Sequence, residues 1–193
     1  MKKENFLIKN WKLNWKFLKE SKWYILFALA IFCFFILIGF TFPVFFREQI
    51  IAYLKELTGR FDGLGVFETI IYILWNNARA SFFAVLLGVL FGIFPVAAAV
   101  TNGYLIGFVS RYAVEEYGIF VLWRLLPHGI FELPAIIISI GIGLKLGLDF
   151  LLKDKRKQFK KDFKEAMRFF LFSIIPLLVV AAIIEGILVV FAG

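Results

Sequence analysis

Residues 23–42 read WYILFALAIFCFFILIGFTF, twenty positions without one charged side chain. A helix of that length covers ~30 Å, the thickness of a bilayer's hydrocarbon layer. Inside that layer no water is present to satisfy peptide groups, so the backbone must bond to itself. The run therefore dictates a membrane helix, and the rest of the chain has to be compatible with it. Composition agrees. Of 193 residues, 62% are hydrophobic and 26 are Phe, where a soluble domain would be near half apolar. The excess lies in long runs separated by charged stretches, and the length suits one membrane domain. No small-x-small cleavage site follows the first run, where the residues are GFTFPVFF, so a retained helix is expected.

The formal net charge of +8 raises the question of nucleic acid. The basic residues flank apolar runs instead of forming a basic domain, so anionic lipid headgroups are the expected partner and nucleic acid is not. Cys33 is the lone cysteine and lies inside an apolar run. It permits no intramolecular disulfide, and one thiol makes no metal site. Sparse Cys and Met beside abundant Lys and Glu point to a thermophile.

The expected fold class is all-α: a polytopic membrane helical bundle of about five spans with a broken fourth helix, plus an N-terminal amphipathic interfacial helix. Residues 1–22 form the basic interfacial segment, with Leu7, Ile8, Trp11, Trp15 and Leu18 at helical spacing among Lys9, Lys12, Lys16 and Lys19. A basic flank anchored by tryptophans accounts for the same residues. Residues 23–193 form a single transmembrane domain. Its spans are expected at about 23–42, 79–94, 100–112, 119–148 (broken near 127) and 169–192. Pro43 ends the first and Pro95 limits the second. The stretch VFETIIYILW is apolar but carries Glu68, which suggests that it lies along the interface. The segment KDKRKQFKKDFKEAMR, 153–168, reads as a charged loop in which Asp154, like Asp149 just before it, is solvated. Lysines and arginines concentrate in that loop and in the first 22 residues. By the positive-inside rule both are cytoplasmic, which places the N-terminus inside and the C-terminus outside.

Three pairs of glycines stand four apart: Gly88 and Gly92, Gly103 and Gly107 (with Asn102), and Gly143 and Gly147. Small residues at this spacing let helices approach closely in lipid, in a tight bundle or a helix-mediated dimer.

The polar groups inside the apolar runs are the candidate site. In LLPHGIFELPA, Pro127 suits the first turn of a helix. His128, the only histidine, and Gly129 then lie in that turn. Glu132 falls one turn past His128 on the same face, and Pro134 removes a second backbone bond. Counting residues from the span ends puts Glu132 and Glu185 in the same half of the bilayer, near Asn76, Asn77 and Arg79. Two carboxylates so placed need a proton, a cation, or the side chain of Arg79 or Arg124 between them. Intramembrane ionisable groups are costly unless paired or hydrated. They either bind something or glue the bundle together. HxxxE alone is short of the three or four ligands of a zinc site, so the metal question stays open. No cofactor is expected and no catalytic set is visible.

LPHGIFELPAI followed by GIGLKLG resembles the signature of the stage II sporulation protein M family. Asn76-Asn77-Ala78-Arg79-Ala80, Gly88 with Gly92, and Asn102-Gly103 with Gly107 fit as well, so the resemblance covers about residues 70–150. It implies an integral membrane protein of about five spans. In sporulating bacteria such proteins are the membrane anchor of an engulfment complex with two cell-wall hydrolases. The family also occurs in prokaryotes that never sporulate, including archaea without murein. The functional expectation is a non-enzymatic scaffold or complex subunit of a prokaryotic cell membrane, working as a homodimer or with other membrane proteins. The alternative is a transporter or channel component that binds an ion or small solute at the polar site.

Overall fold

The computed structural model describes residues 6–61, 63–152 and 156–192, and among them every regular element is helical. Five helices are long and apolar enough to cross a membrane: Lys22–Thr41, Val66–Val89, Ile93–Tyr117, Gly129–Leu151 and Gln158–Phe191. The chain is an all-α membrane bundle.

Helix α1 (Phe6–Glu20) leads almost directly into α2 (Lys22–Thr41). The Ser21 amide still bonds back to the Phe17 carbonyl at 3.0 Å, and Ile25 bonds to that of Ser21 at 3.1 Å. One face of α1 is covered by the bundle, with Asn14 and Phe17 buried, while Trp11 and Trp15 stay exposed. After α2 the Tyr104 hydroxyl organises the turn at 42–46. It accepts from the Phe45 amide at 3.0 Å and donates toward the Phe42 or Phe45 carbonyl, each 3.0 Å away.

Helix α3 (Arg47–Gly59) precedes α4 (Val66–Leu86). The second apolar helix thus starts well before the expected residue 79. Glu68 does not hold its neighbours out of the span. It sits in the first turn and its carboxylate accepts the Gly65 amide at 2.5 Å, satisfying a helix-end donor with the charge at the end that favours it. A tight turn at Leu87–Val89 and two left-handed residues, Phe91 and Gly92, then reverse the chain. Pro95, expected to limit the second span, instead lies in the first turn of α5 (Ile93–Tyr117), where its missing amide costs no helix bond. Gly118 ends α5 at φ 79°, a conformation that favours glycine.

A narrow helical segment, Ile119–Leu125, breaks the chain before α6 (Leu126–Leu151), and Pro127 falls in the first turn of α6. Pro134 is accommodated inside it. The region 153–168, read from sequence as a charged loop, is for its described part the helix α7 (Arg156–Phe169). This continues through a one-residue-wider turn, Phe170–Ile174, into α8 (Ile175–Ala192). Pro176 explains the widened turn, because it cannot supply the next i→i−4 bond and its ring crowds the preceding carbonyl. Phe159, Asp162, Phe163, Ala166 and Phe170 fall on the inner stripe of this long helix, and Lys160, Lys161 and Lys164 face out.

Helix α6 is the centre of the bundle. Half of its apolar stretch is enclosed by protein, against 17% for α2, and it packs on α2, α4, α5, α7 and α8. Backbone approaches between helices depend on glycine. A methyl group at Gly88 would collide with the Gly143 carbonyl, and one at Gly147 with that of Gly88. Likewise, one at Gly107 would meet the Ile36 carbonyl of α2. These contacts lie within one chain, so a dimer would have to use other surfaces.

Candidate functional site

Glu132 is six residues into α6 and Glu185 seven residues from the end of α8, so each is ~9–10 Å along its helix from the same end of the bundle. Both line one cavity of about 350 Å³, together with Asn76 and Asn77 from α4 and Asn102 from α5. Gly129 brings the first turn of α6 to its wall. Helix α3 closes the remaining side through Tyr53, Leu54 and Leu57. It is tied to α4 by Arg60, which donates to Glu56 at 2.6 Å and to the Tyr72 hydroxyl at 2.8 Å. Those two bonds, the Glu56 one foremost, hold the guanidinium above its ordinary pKa. The Phe61 ring sits edge-on to Tyr72 at 5.4 Å.

The polar walls are only partly satisfied. The Asn102 amide donates to the Ala98 carbonyl at 2.8 Å. One oxygen of Glu185 is enclosed and accepts no hydrogen bond. The Glu132 and Glu185 carboxylates line the same cavity. Two ionised carboxylates in one such space repel, and a shared proton or a bound cation relieves the repulsion.

Not every sequence-predicted residue is there. Asn102, first assigned to helix packing, is a cavity residue. Arg79, expected beside the carboxylates, points outward. It is exposed on α4 and is not part of the cavity wall. Asn76 and Asn77 face inward while Arg79, two positions on, faces away, because consecutive helical residues are turned by 100°. The His128 side chain lies outside the described residues, as do those of Arg124 and Asp154. Among the described residues no group of three or more His, Cys, Asp or Glu is placed to hold a metal.

A second polar cluster, at the opposite end, is absent from the sequence reading. Lys145 of α6 and Asp162 of α7 pair at 3.2 Å with side-chain exposures of 9% and 1%. The Lys145 ammonium also lies 4.5 Å from the centre of the Phe17 ring, and Gln158 donates to Asp162 at 3.1 Å. Nearby, Arg168 donates to Asn14 at 3.1 Å, and Asn14 donates to Ser173 at 2.9 Å. Asp149, expected to be solvated, is 2% exposed, because α7 folds back beside the end of α6. One signal was present in the sequence: the period of Phe159, Asp162, Phe163 and Ala166 marks an inward helix face that carries the carboxylate.

The sequence profile of the family described as Stage II sporulation protein M matches residues 28–189. The chain belongs to the stage II sporulation protein M family. Its cavity residues and central glycines all lie within the matched part. Two uncharacterised proteins of Methanocaldococcus jannaschii are similar to this family member. One is 32% identical over 124 residues, covering 61% of this chain and 54% of the relative. The other is 34% identical over 119 residues, covering 58% and 66%. The match thus spans about half to two-thirds of the length of these relatives. No solved structure matches.

Proposed function

We propose that this family member is a non-catalytic scaffold or complex subunit of a prokaryotic cell membrane, engaging another membrane protein or a second copy of itself through the Arg79 face of α4. The observation that carries the reading is Arg79 itself. It lies 13 residues from Val66 and seven from Leu86, ~20 Å and ~10 Å from the two ends of α4. It is exposed and makes no hydrogen bond or ion pair with another described residue. Its neighbours on the same stripe, Ile71, Trp75 and Phe83, are exposed and apolar. An unpaired guanidinium at that depth costs several kcal/mol against lipid. A carboxylate or carbonyl from a partner helix removes the cost. The test is the size of the full chain extracted gently from its own membranes. Wild type should migrate as a complex and Arg79→Gln as the lone chain, with helicity and thermal stability unchanged. A wild-type protein that runs alone, or a complex that survives the substitution, defeats the reading.

The basic α1 and α7 share one end, which supports a cytoplasmic N-terminus and an outside C-terminus. Reporter fusions at the two termini check this.

A second reading rests on the cavity. Three asparagines and two glutamates from four helices, with a buried carboxylate oxygen that accepts no bond, suit a cation or a small cationic solute. Discontinuous helices whose first turns line a cavity are a recurrent way of building such sites in transporters. Under this reading the chain is a transporter or channel component, and α3 is the element that covers its site.

A further inference from the structure

Helix α1 leaves a groove against α6 and α8. Two recesses, of about 340 and 390 Å³, adjoin at Trp11, Asn14 and Phe172. The larger is walled by Trp15 and Leu18 from α1, Phe131 and Ile138 from α6, and Leu177 and Val180 from α8. Its polar wall residues, Asn14 and Ser173, bond to each other. An occupant therefore meets an apolar surface almost throughout.

The size of the groove limits what fits. From Phe169 to Val180 is eleven residues, ~16 Å along the helix, which is about half of a ~30 Å hydrocarbon layer. Its α8 wall is about one leaflet long. Water gains nothing from apolar walls, whereas a hydrocarbon chain does.

Charge marks one end. The Lys19 ammonium lies 5.3 Å over the ring of Trp15, which lines the groove. Arg168 donates to Asn14 of the wall and adds a second positive charge beside it. The cationic rim lies at the α1 end of the bundle, where lipid headgroups sit. The apolar slot runs from there toward the bilayer centre.

We propose that the groove between α1, α6 and α8 holds one anionic membrane lipid, with its hydrocarbon chain along Leu177 and Val180 and its phosphate at the Lys19 and Arg168 rim. This differs from the general attraction of a basic helix to a charged surface, because it specifies one lipid in one place.

The test reconstitutes the full chain in vesicles of equal phosphatidylglycerol and phosphatidylcholine with identical chains. The protein is then extracted in mild detergent and its intact mass measured. One phosphatidylglycerol should remain on wild type in preference to phosphatidylcholine. Lys19→Gln should weaken retention about fivefold, as expected for one surface charge, and Arg168→Gln, at a half-buried position, should weaken it at least as much. Val180→Trp, at a 40% exposed position, should block the slot and abolish retention, with helicity measured alongside. Leu188→Trp, nearer the C-terminus of α8 and not in the groove wall, should leave retention as in wild type. If Val180→Trp fails to fold, the two charge variants decide. Equal retention of both lipids, retention unchanged by Val180→Trp, or a dimer that this substitution dissolves would each overturn the proposal.

Discussion

The two ends of the bundle hold ionisable side chains in opposite states. At the α1 end, Lys145 and Asp162 are closed on each other, with Phe17 against the ammonium and Gln158 on the carboxylate. At the other end, Glu132 and Glu185 face a cavity with like charges and asparagines, and one carboxylate oxygen accepts nothing. Both arrangements take ionisable groups out of contact with solvent at least in part. The first completes itself and works as a fastening between α6 and α7. The second leaves a carboxylate oxygen without a complement among the described residues. The difference teaches how to separate structural glue from a binding site in a membrane bundle: the question is whether the polar groups find complements in their own chain.

Breaking the fastening should have the largest effect. Asp162→Ala leaves Lys145 enclosed and unpaired, and should cost roughly 3–5 kcal/mol in reversible unfolding. Replacing both partners together, Lys145→Met with Asp162→Leu, should recover most of that loss, since a well-packed apolar pair of similar volume can match a buried ion pair. A double variant as unstable as Asp162→Ala would show that the charges do more than pair.

A smaller effect is expected from the glycine contacts that let α6 approach its neighbours closely. Gly143→Ala pushes a methyl group against the Ala84 carbonyl and the Pro95 ring, and should destabilise by about 1–3 kcal/mol, the usual cost of overpacking. Gly59→Ala, at a position open to space at the end of α3, serves as the control and should change thermal unfolding little.

The smallest effect on stability should come from the cavity. Glu132→Gln and Glu185→Gln keep the shape and remove one of two repelling charges. Thermal stability without added ions should stay flat or rise. If the cavity binds a cation, each substitution should abolish the stabilisation that the ion confers on wild type through mass action. A marked loss of stability without ions would move the glutamates into the same class as Lys145 and Asp162, and the contrast between the two ends would collapse.

What the sequence by itself determined is the class of molecule and much of its layout. Uncharged runs of membrane length force helices, because backbone polar groups in hydrocarbon have no other partners. The first span, the break before Pro127 and the shared depth of Glu132 and Glu185 follow from counting at 1.5 Å per residue. Span ends were harder to read. Glu68 resembles an obstacle until its carboxylate is found on the Gly65 amide, and Pro95 resembles a stop until it is found inside a first turn. In both cases the same residue has opposite meaning in the middle and at the end of a helix. Only the tertiary structure decided which face each polar side chain presents. It turned Arg79 out and Asn102 in, carried α3 over the cavity, and folded α7 back so that Asp162 meets Lys145. Those outcomes depend on the rotation and pairing of helices against one another. In lipid that choice rests on close packing at a few glycines, and the linear pattern marks a helix face, as in α7, without naming the helix it will meet.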